Sequence, residues 1–144
     1  TFRCAEQIRN DVAYHGLPVT VVVVGGGLAY GALGYSHHAV QDYGLMRSMP
    51  GMLIAAPGDP WEVRACMRYL LAHPQPSYLR LGKAGEPAIH DRLPEVAPGR
   101  WVPVRTGNSQ CVLSTGAPLR QAHEWVAGDG THAGSTLMSM PLWS

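Results

Sequence analysis

The sequence carries almost no net charge with which to draw a charged partner: 11 basic residues stand against 10 acidic ones, a formal net charge of +1. No basic field is left over for nucleic acid or anionic lipid, so neither a nucleic-acid nor a membrane partner is expected. Cysteine is scarce as well. Cys4, Cys66 and Cys111 are odd in number, widely spaced and outside any Cys-x-x-Cys pair, which argues against a disulfide framework or a zinc site and for a reducing compartment, the cytoplasm. No apolar run approaches the roughly 20 residues of a membrane span, and no signal-peptide pattern opens the chain. What is present is a globular composition, 144 residues of which 46% are hydrophobic, enough for a real core. The chain opens on Thr1 and stops at "SMPLWS", directly after an expected strand. It therefore reads as a fragment, or as one piece of a split enzyme.

Glycine, in contrast, is concentrated. Gly25 to Met52 holds seven glycines beside the adjacent pair His37 and His38. A dinucleotide fingerprint fails here because Tyr30 stands where the third glycine belongs, a P-loop fails for want of a lysine, and a nucleophile elbow fails because His38 replaces its last glycine. The segment is a glycine-rich strand-to-helix loop of another kind.

Periodicity places the loop in an alternating chain. "FRCAEQIRNDVAYHG" puts Ala5, Ile8 and Val12 on one helical stripe, with Gly16 as the stop. "LPVTVVVVG" is β-branched without alternation, which predicts a strand buried on both faces. A helix from Ala39 to about Met49 and a strand in "GMLIAAP" follow. "DPWEVRACMRYLLAH" then shows a cap at Asp59, Pro60 at the first helical position and Glu62 three after the cap, with Val63, Cys66, Met67, Leu70 and Leu71 as the apolar face. "PSYLRLG" supplies a further strand. The expectation is an α/β fold whose mostly parallel sheet is flanked by helices, with Val19 to Val24, Leu53 to Ala56 and Tyr78 to Leu81 as parallel neighbours. Ligands of such folds sit at the carboxyl ends of strands, where the Gly25 to His38 loop and "RLGKAG" both lie.

Residues 86–108 are rich in proline and turn formers and read as an inter-domain linker, with Trp101 to Val104 as a short strand inside it. "QCVLSTG", "APLRQAHEWVAG" and "GSTLMSMPLWS" read as strand, helix and strand, the first βαβ unit of a second α/β domain. Gly128-Asp129-Gly130 resembles the start of a magnesium-diphosphate motif, but no asparagine follows it, and it reads as a turn. His37 and His38 are adjacent, point in different directions and cannot share a metal; one of them, at the mouth of the loop, can hydrogen-bond to a ligand oxygen. Lys83, after a strand, is placed to meet an anion or to sit solvated at the surface.

The motifs Gly34 to His37 ("G-x-(S/T)-H"), Met46 to Met52 ("LR-x-(I/L/M)-P-x-M") and Pro57 to Glu62 ("P-x-D-x-x-E") occur in this order, and through them the chain resembles the thiamine-diphosphate-dependent transketolase family. The resemblance runs nearly end to end. It implies the thiamine-diphosphate-binding fold of pyrimidine-domain type over residues 1–85, the linker over 86–108, and the start of the family's C-terminal domain over 109–144. It further implies transfer of a two-carbon ketol unit between sugar or sugar-phosphate substrates, with thiamine diphosphate and Mg2+ as cofactors. Two alternatives remain, a 2-oxoacid dehydrogenase β-like subunit and a non-catalytic assembly module.

Residue by residue, the resemblance gives Gly25, Gly26 and Gly27 the place of a loop that approaches the substrate cleft. It makes His37 the substrate-contacting, catalytic histidine, and Lys83 the stand-in for an arginine that grips a sugar phosphate. Phe2 matches an aromatic that stacks on the aminopyrimidine. Metal ligands are not expected in this chain. Leu33 stands where transketolases carry an aspartate that reads a donor hydroxyl, and Gly25 replaces another polar residue, which implies a substrate other than an ordinary pentose phosphate. The proton-relay glutamate falls upstream of Thr1. A diphosphate-binding domain or subunit must be the partner, in a homo- or hetero-oligomer such as a dimer, and the chain alone is expected to be inactive.

Overall fold

A computed structural model describes residues 2–144; Thr1, with which the expected first domain begins, lies outside them. The first helical segment is a 3-10 turn over Phe2–Cys4 that runs into α1 (Ala5–Gln7) and a π-helical stretch over Ile8–Ala13. The wider winding shows in the i+5 bonds Tyr14 N–H to Arg9 O at 2.9 Å and Leu17 N–H to Val12 O at 3.0 Å. Then come β1 (Thr20–Val24), α2 (Asp42–Arg47), β2 (Leu53–Ala55), α3 (Pro60–Ala72) and β3 (Ser77–Leu81). The remainder holds β4 (Val102–Arg105), β5 (Cys111–Ser114), α4 (Pro118–Ala127), β6 (Thr136–Ser139) and β7 (Leu142–Trp143).

One sheet has the order β1-β3-β2-β7. Its β1/β3 and β2/β3 pairs are parallel, with Val21 opposite Tyr78 and Ile54 opposite the same residue from the other side, as the alternation of helices with strands predicts. A second sheet has the order β4-β6-β5, with β5 and β6 parallel around α4 and β4 antiparallel to β6. Residues 128–130 are bends between α4 and β6.

Alternation along the strands makes two apolar layers. Ile54 and Tyr78 face Ile8, Met46, Met49 and Met52, while Leu53, Ala55 and Leu79 face Cys66 and Leu70 of α3. Each large side chain so buried contributes about 1.5–3 kcal/mol.

Three expectations are corrected. First, β1 is not buried on both faces. It is the outer strand of the sheet, Val21 and Val23 pack inward, and Val22 and Val24 are 50% and 60% exposed because α3 covers β2 and β3 but stops short of β1. Second, Leu71 is exposed, and the buried stripe of α3 is Glu62, Ala65, Cys66 and Leu70. The helix is turned so that a carboxylate enters the core at its first turn. Third, "GSTLMSMPLWS" is not one strand. Pro141, which lacks an N–H, separates β6 from β7, and β7 leaves the second sheet to pair antiparallel with β2 of the first.

Candidate active site

The glycine loop starts where β1 ends. Gly25 donates its N–H to Leu81 O at 3.0 Å and adopts φ +80°. That is the left-handed region, and a Cβ on Gly25 would in addition overlap the Tyr30 ring, so only glycine fits. Gly26 is required for a different reason: the Arg80 side chain lies across it, where a Cβ would sit. Gly27 and Ala39 then exchange backbone hydrogen bonds of 2.8 and 3.0 Å. This bridge closes the base of the loop, and 3-10 turns at Gly31–Leu33 and Tyr35–His37 shape its tip.

Beneath the loop lies a buried ion pair that sequence reading did not find. Arg80 on β3 donates from Nη1 to Asp42 Oδ1 at 2.9 Å and to Ala39 O at 3.1 Å. Tyr78 donates its hydroxyl to Asp42 Oδ2 at 2.7 Å. The guanidinium also stacks 3.6 Å from the centre of the Tyr43 ring, and burial pushes the Tyr43 hydroxyl up to about 12. The carboxylate is wholly buried and the arginine is 10% exposed. Asp42 and Arg80 thus tie the first turn of α2, and with it the end of the glycine loop, to the sheet.

Of the residues expected to act, His37 and Lys83 both lie against one ring, that of Tyr30, and Phe2 does not. His37 and Tyr30 are edge-to-face with ring centres 6.3 Å apart, and Lys83 Nζ lies 5.9 Å from the centre of the same Tyr30 ring. Tyr30 thereby links Gly25, His37 and Lys83 into one row at the carboxyl ends of β1 and β3. Its role was not legible from sequence, where it marked only a failed fingerprint. His37 is exposed and its Nδ1 is 3.1 Å from Ser36 Oγ; His38 is half-buried, with Nε2 2.9 Å from Gly31 O. Phe2 borders a cleft of about 340 Å³ with Tyr35, Ser36, His38 and Gln41. Lys83, the single lysine of the chain, opens on a separate cleft of about 390 Å³ that it shares with Glu86 and that has no lining residue in common with the first. Aromatic walls with a few polar groups suit the first cleft to a flat heteroaromatic ring. Among the described residues no group of three or more His, Cys, Asp or Glu side chains is placed to hold a metal ion.

A second polar cluster holds residues 89 and 90 to the start of α3. Asp59 caps α3 through Glu62 N–H at 2.8 Å and also accepts from the N–H groups of Ile89 and His90 at 2.8 and 2.9 Å. His90 lies with Nδ1 3.3 Å from Asp59 and Nε2 3.8 Å from Glu62. Burial pushes the Asp59 carboxyl up, but His90 and the three N–H groups outweigh it and hold the pKa at about 2. Burial raises Glu62. Burial also opposes the His90 cation, yet the Asp59, Glu62 and Asp91 carboxylates prevail and raise its pKa. The cap was legible in the sequence. The clasp on residues 89 and 90 was not, because it joins groups 30 and 31 residues apart.

Comparison with known proteins completes the picture. Residues 1–85 match the model of the transketolase pyrimidine-binding domain. One of the subunits of the apulose-4-phosphate transketolase of Phocaeicola vulgatus is 32% identical over 123 residues, covering 85% of this chain and 39% of the relative. The 1-deoxy-D-xylulose-5-phosphate synthase of Thermus thermophilus is 35% identical over 133 residues, covering 92% of this chain and 21% of the relative. Among solved structures, a split-gene transketolase described as an inactive β4 tetramer superposes with a TM-score of 0.80 at 27% identity, over 96% of this chain and 45% of that one. The chain thus spans less than half the length of each of these relatives.

Proposed function

Because the chain belongs to the transketolase pyrimidine-binding-domain family, we propose that it is part of a thiamine-diphosphate-dependent enzyme that moves a two-carbon ketol unit between sugar substrates. In that reaction one carbon–carbon bond of a ketose donor breaks and one forms to the carbonyl carbon of an aldehyde acceptor, leaving a shortened aldose and a new ketose. The observation that carries the reading is the row of His37, Tyr30 and Lys83 at the carboxyl ends of two parallel strands, on a loop whose glycines admit close approach. Bound thiamine diphosphate would supply the electron sink for the bond cleavage.

The chain's own residues bind and orient. His37 has Nε2 free of the Ser36 contact and can hydrogen-bond to a substrate oxygen. Lys83 offers a point charge to a phosphate or another anion, without the fork of an arginine. The cleft at Phe2, Tyr35 and Gln41 would take the aminopyrimidine ring. The diphosphate and Mg2+ fall to a partner domain or subunit, so the assembly is a homo- or hetero-oligomer and the isolated chain binds no cofactor at micromolar concentration.

The test uses the full-length protein purified with its diphosphate-binding partner. Replacing His37 by alanine removes one hydrogen bond of about 1.5–3 kcal/mol, an expected loss of roughly 10- to 150-fold in kcat/KM, with cofactor affinity unchanged. Unaltered turnover of this variant would remove His37 from the site. Absence of ketol transfer by the wild-type complex would sink the proposed activity.

A further inference from the structure

The His37 imidazole has little to hold it in one orientation. The residue lies on a single 3-10 turn and is exposed, and the contact of its Nδ1 with Ser36 Oγ joins two adjacent side chains that both face solvent. Its second contact is the Tyr30 ring, met edge-to-face at 6.3 Å and 65°, a geometry that aromatic pairs prefer. Tyr30, in contrast, is clamped. Its ring covers Gly25 so closely that a Cβ there would run into Cε2, Cζ and the hydroxyl, and Gly25 is bonded in turn to Leu81 O of β3 at 3.0 Å. The Lys83 ammonium stands over the ring at 5.9 Å, within the reach of a cation–π attraction. Tyr30 is accordingly 38% exposed, whereas Tyr35 of the same loop is 78% exposed. A path of contacts therefore runs from the sheet through Gly25 and Tyr30 to the imidazole.

Resting on the proposed ketol transfer, we infer that Tyr30 is a positioning residue of that site: its ring holds the His37 imidazole so that Nε2 meets the substrate oxygen, and Tyr30 acts on the reaction through His37. Without the ring the imidazole must be ordered by the substrate itself, and that ordering is drawn from the free energy that would otherwise bind the transition state. An aromatic pair of this geometry is worth a factor of roughly 2 to 12 in kcat/KM. A ring that merely filled the space over Gly25 and kept the loop folded would matter equally with His37 present or absent.

The experiment is a double-mutant cycle on kcat/KM, with the full-length protein and its diphosphate-binding partner, thiamine diphosphate, Mg2+, a fixed ketose donor and a fixed aldehyde acceptor. Tyr30→Leu, which removes the ring, should lower kcat/KM by roughly 2- to 12-fold when His37 is present. In the His37→Ala background the same change should cost at most half that factor; a smaller difference between the two backgrounds overturns the inference, because the ring then does not act through the imidazole. Tyr30→Phe, which keeps the ring and drops the hydroxyl, should recover more than half of the loss, and a smaller recovery overturns the inference in favour of the hydroxyl. Should His37→Ala by itself leave turnover unaltered, the histidine leaves the site and this inference goes with it, while ketol transfer stands. Absence of ketol transfer by the wild-type complex overturns the proposed activity and the inference together.

Discussion

Replacing Asp42 by asparagine keeps the size of a side chain that is wholly buried and removes its charge. Arg80 is then left with Ala39 O and the Tyr43 ring as its remaining support. Asparagine can still accept from Arg80, and its amide can donate to a rotated Tyr78 hydroxyl, so the lost quantity is mainly the charge pairing. Breaking one partner of a buried ion pair costs about 3–5 kcal/mol, and the stacking on Tyr43 returns about 0.5–2 kcal/mol of that only if it strengthens. The net expectation is about 3 kcal/mol, which for urea slopes of about 1–3 kcal/mol per molar is a fall of roughly 1–3 M in the unfolding midpoint. The four tryptophans report the transition. The Arg80→Met variant should lose a similar amount, and Asp42→Asn with Arg80→Met should lose clearly less than the sum, since a paired replacement leaves no lone charge. Single-variant losses that add within about 0.5 kcal/mol would refute the coupling and, with it, the idea that this pair anchors the loop.

A Gly26→Ala change should displace Arg80 and cost about 1–3 kcal/mol in the same unfolding experiment; a variant as stable as wild type would show that the arginine does not cross the loop. The pH dependence has two limbs. His90 has its folded pKa raised, so its contribution is full below about 6.5, the unfolded value, and is lost as pH rises through the folded value. The melting temperature should drop on that alkaline side, and His90→Gln should flatten the drop. Asp59 is held at about 2 against 3.8 unfolded, so its contribution is present above the unfolded value and is lost as pH falls towards 2, partly offset by Glu62, whose raised pKa works in the opposite sense. An acid limb unchanged by Asp59→Asn would refute that assignment. Cys66 is buried and its thiol is pushed up by that burial, so a thiol reagent should label Cys4 and Cys111 in the native protein and reach Cys66 only after unfolding.

Local chemistry was legible in the sequence. Asp59, Pro60 and Glu62 announced α3, and the alternation of helices with short apolar runs announced strands that do pair in parallel. Relations across the chain were not. Asp42 and Arg80 are 38 residues apart and nothing in either neighbourhood marks the other. "TVVVV" has the composition of a central strand, and its place at the edge is set by the strand order, which pairs it with β3 alone. Tyr30 looked like an error in a glycine motif; the structure uses it to fill the space that Gly25 leaves open. His90, inside a stretch read as a connector, is drawn to the start of α3 by carboxylates that the sequence showed only as a cap.

The seat of β7 bears on how this polypeptide can be divided. Trp143 and Leu142 sit opposite Ile54 and Ala55, and Trp143 Nε1 donates to Thr115 Oγ1 at 3.1 Å, so the last residues fasten the second sheet to the first. Cutting after residue 85, where the family match stops, would strip a strand from β2 and bare a row of backbone donors and acceptors beside Leu53, Ile54 and Ala55. Such an edge invites pairing with other copies, and the excised piece should precipitate. Gene fission or domain shuffling at that boundary would meet the same penalty: a workable break must keep β2 and β7 together, or bring the strand back from another chain.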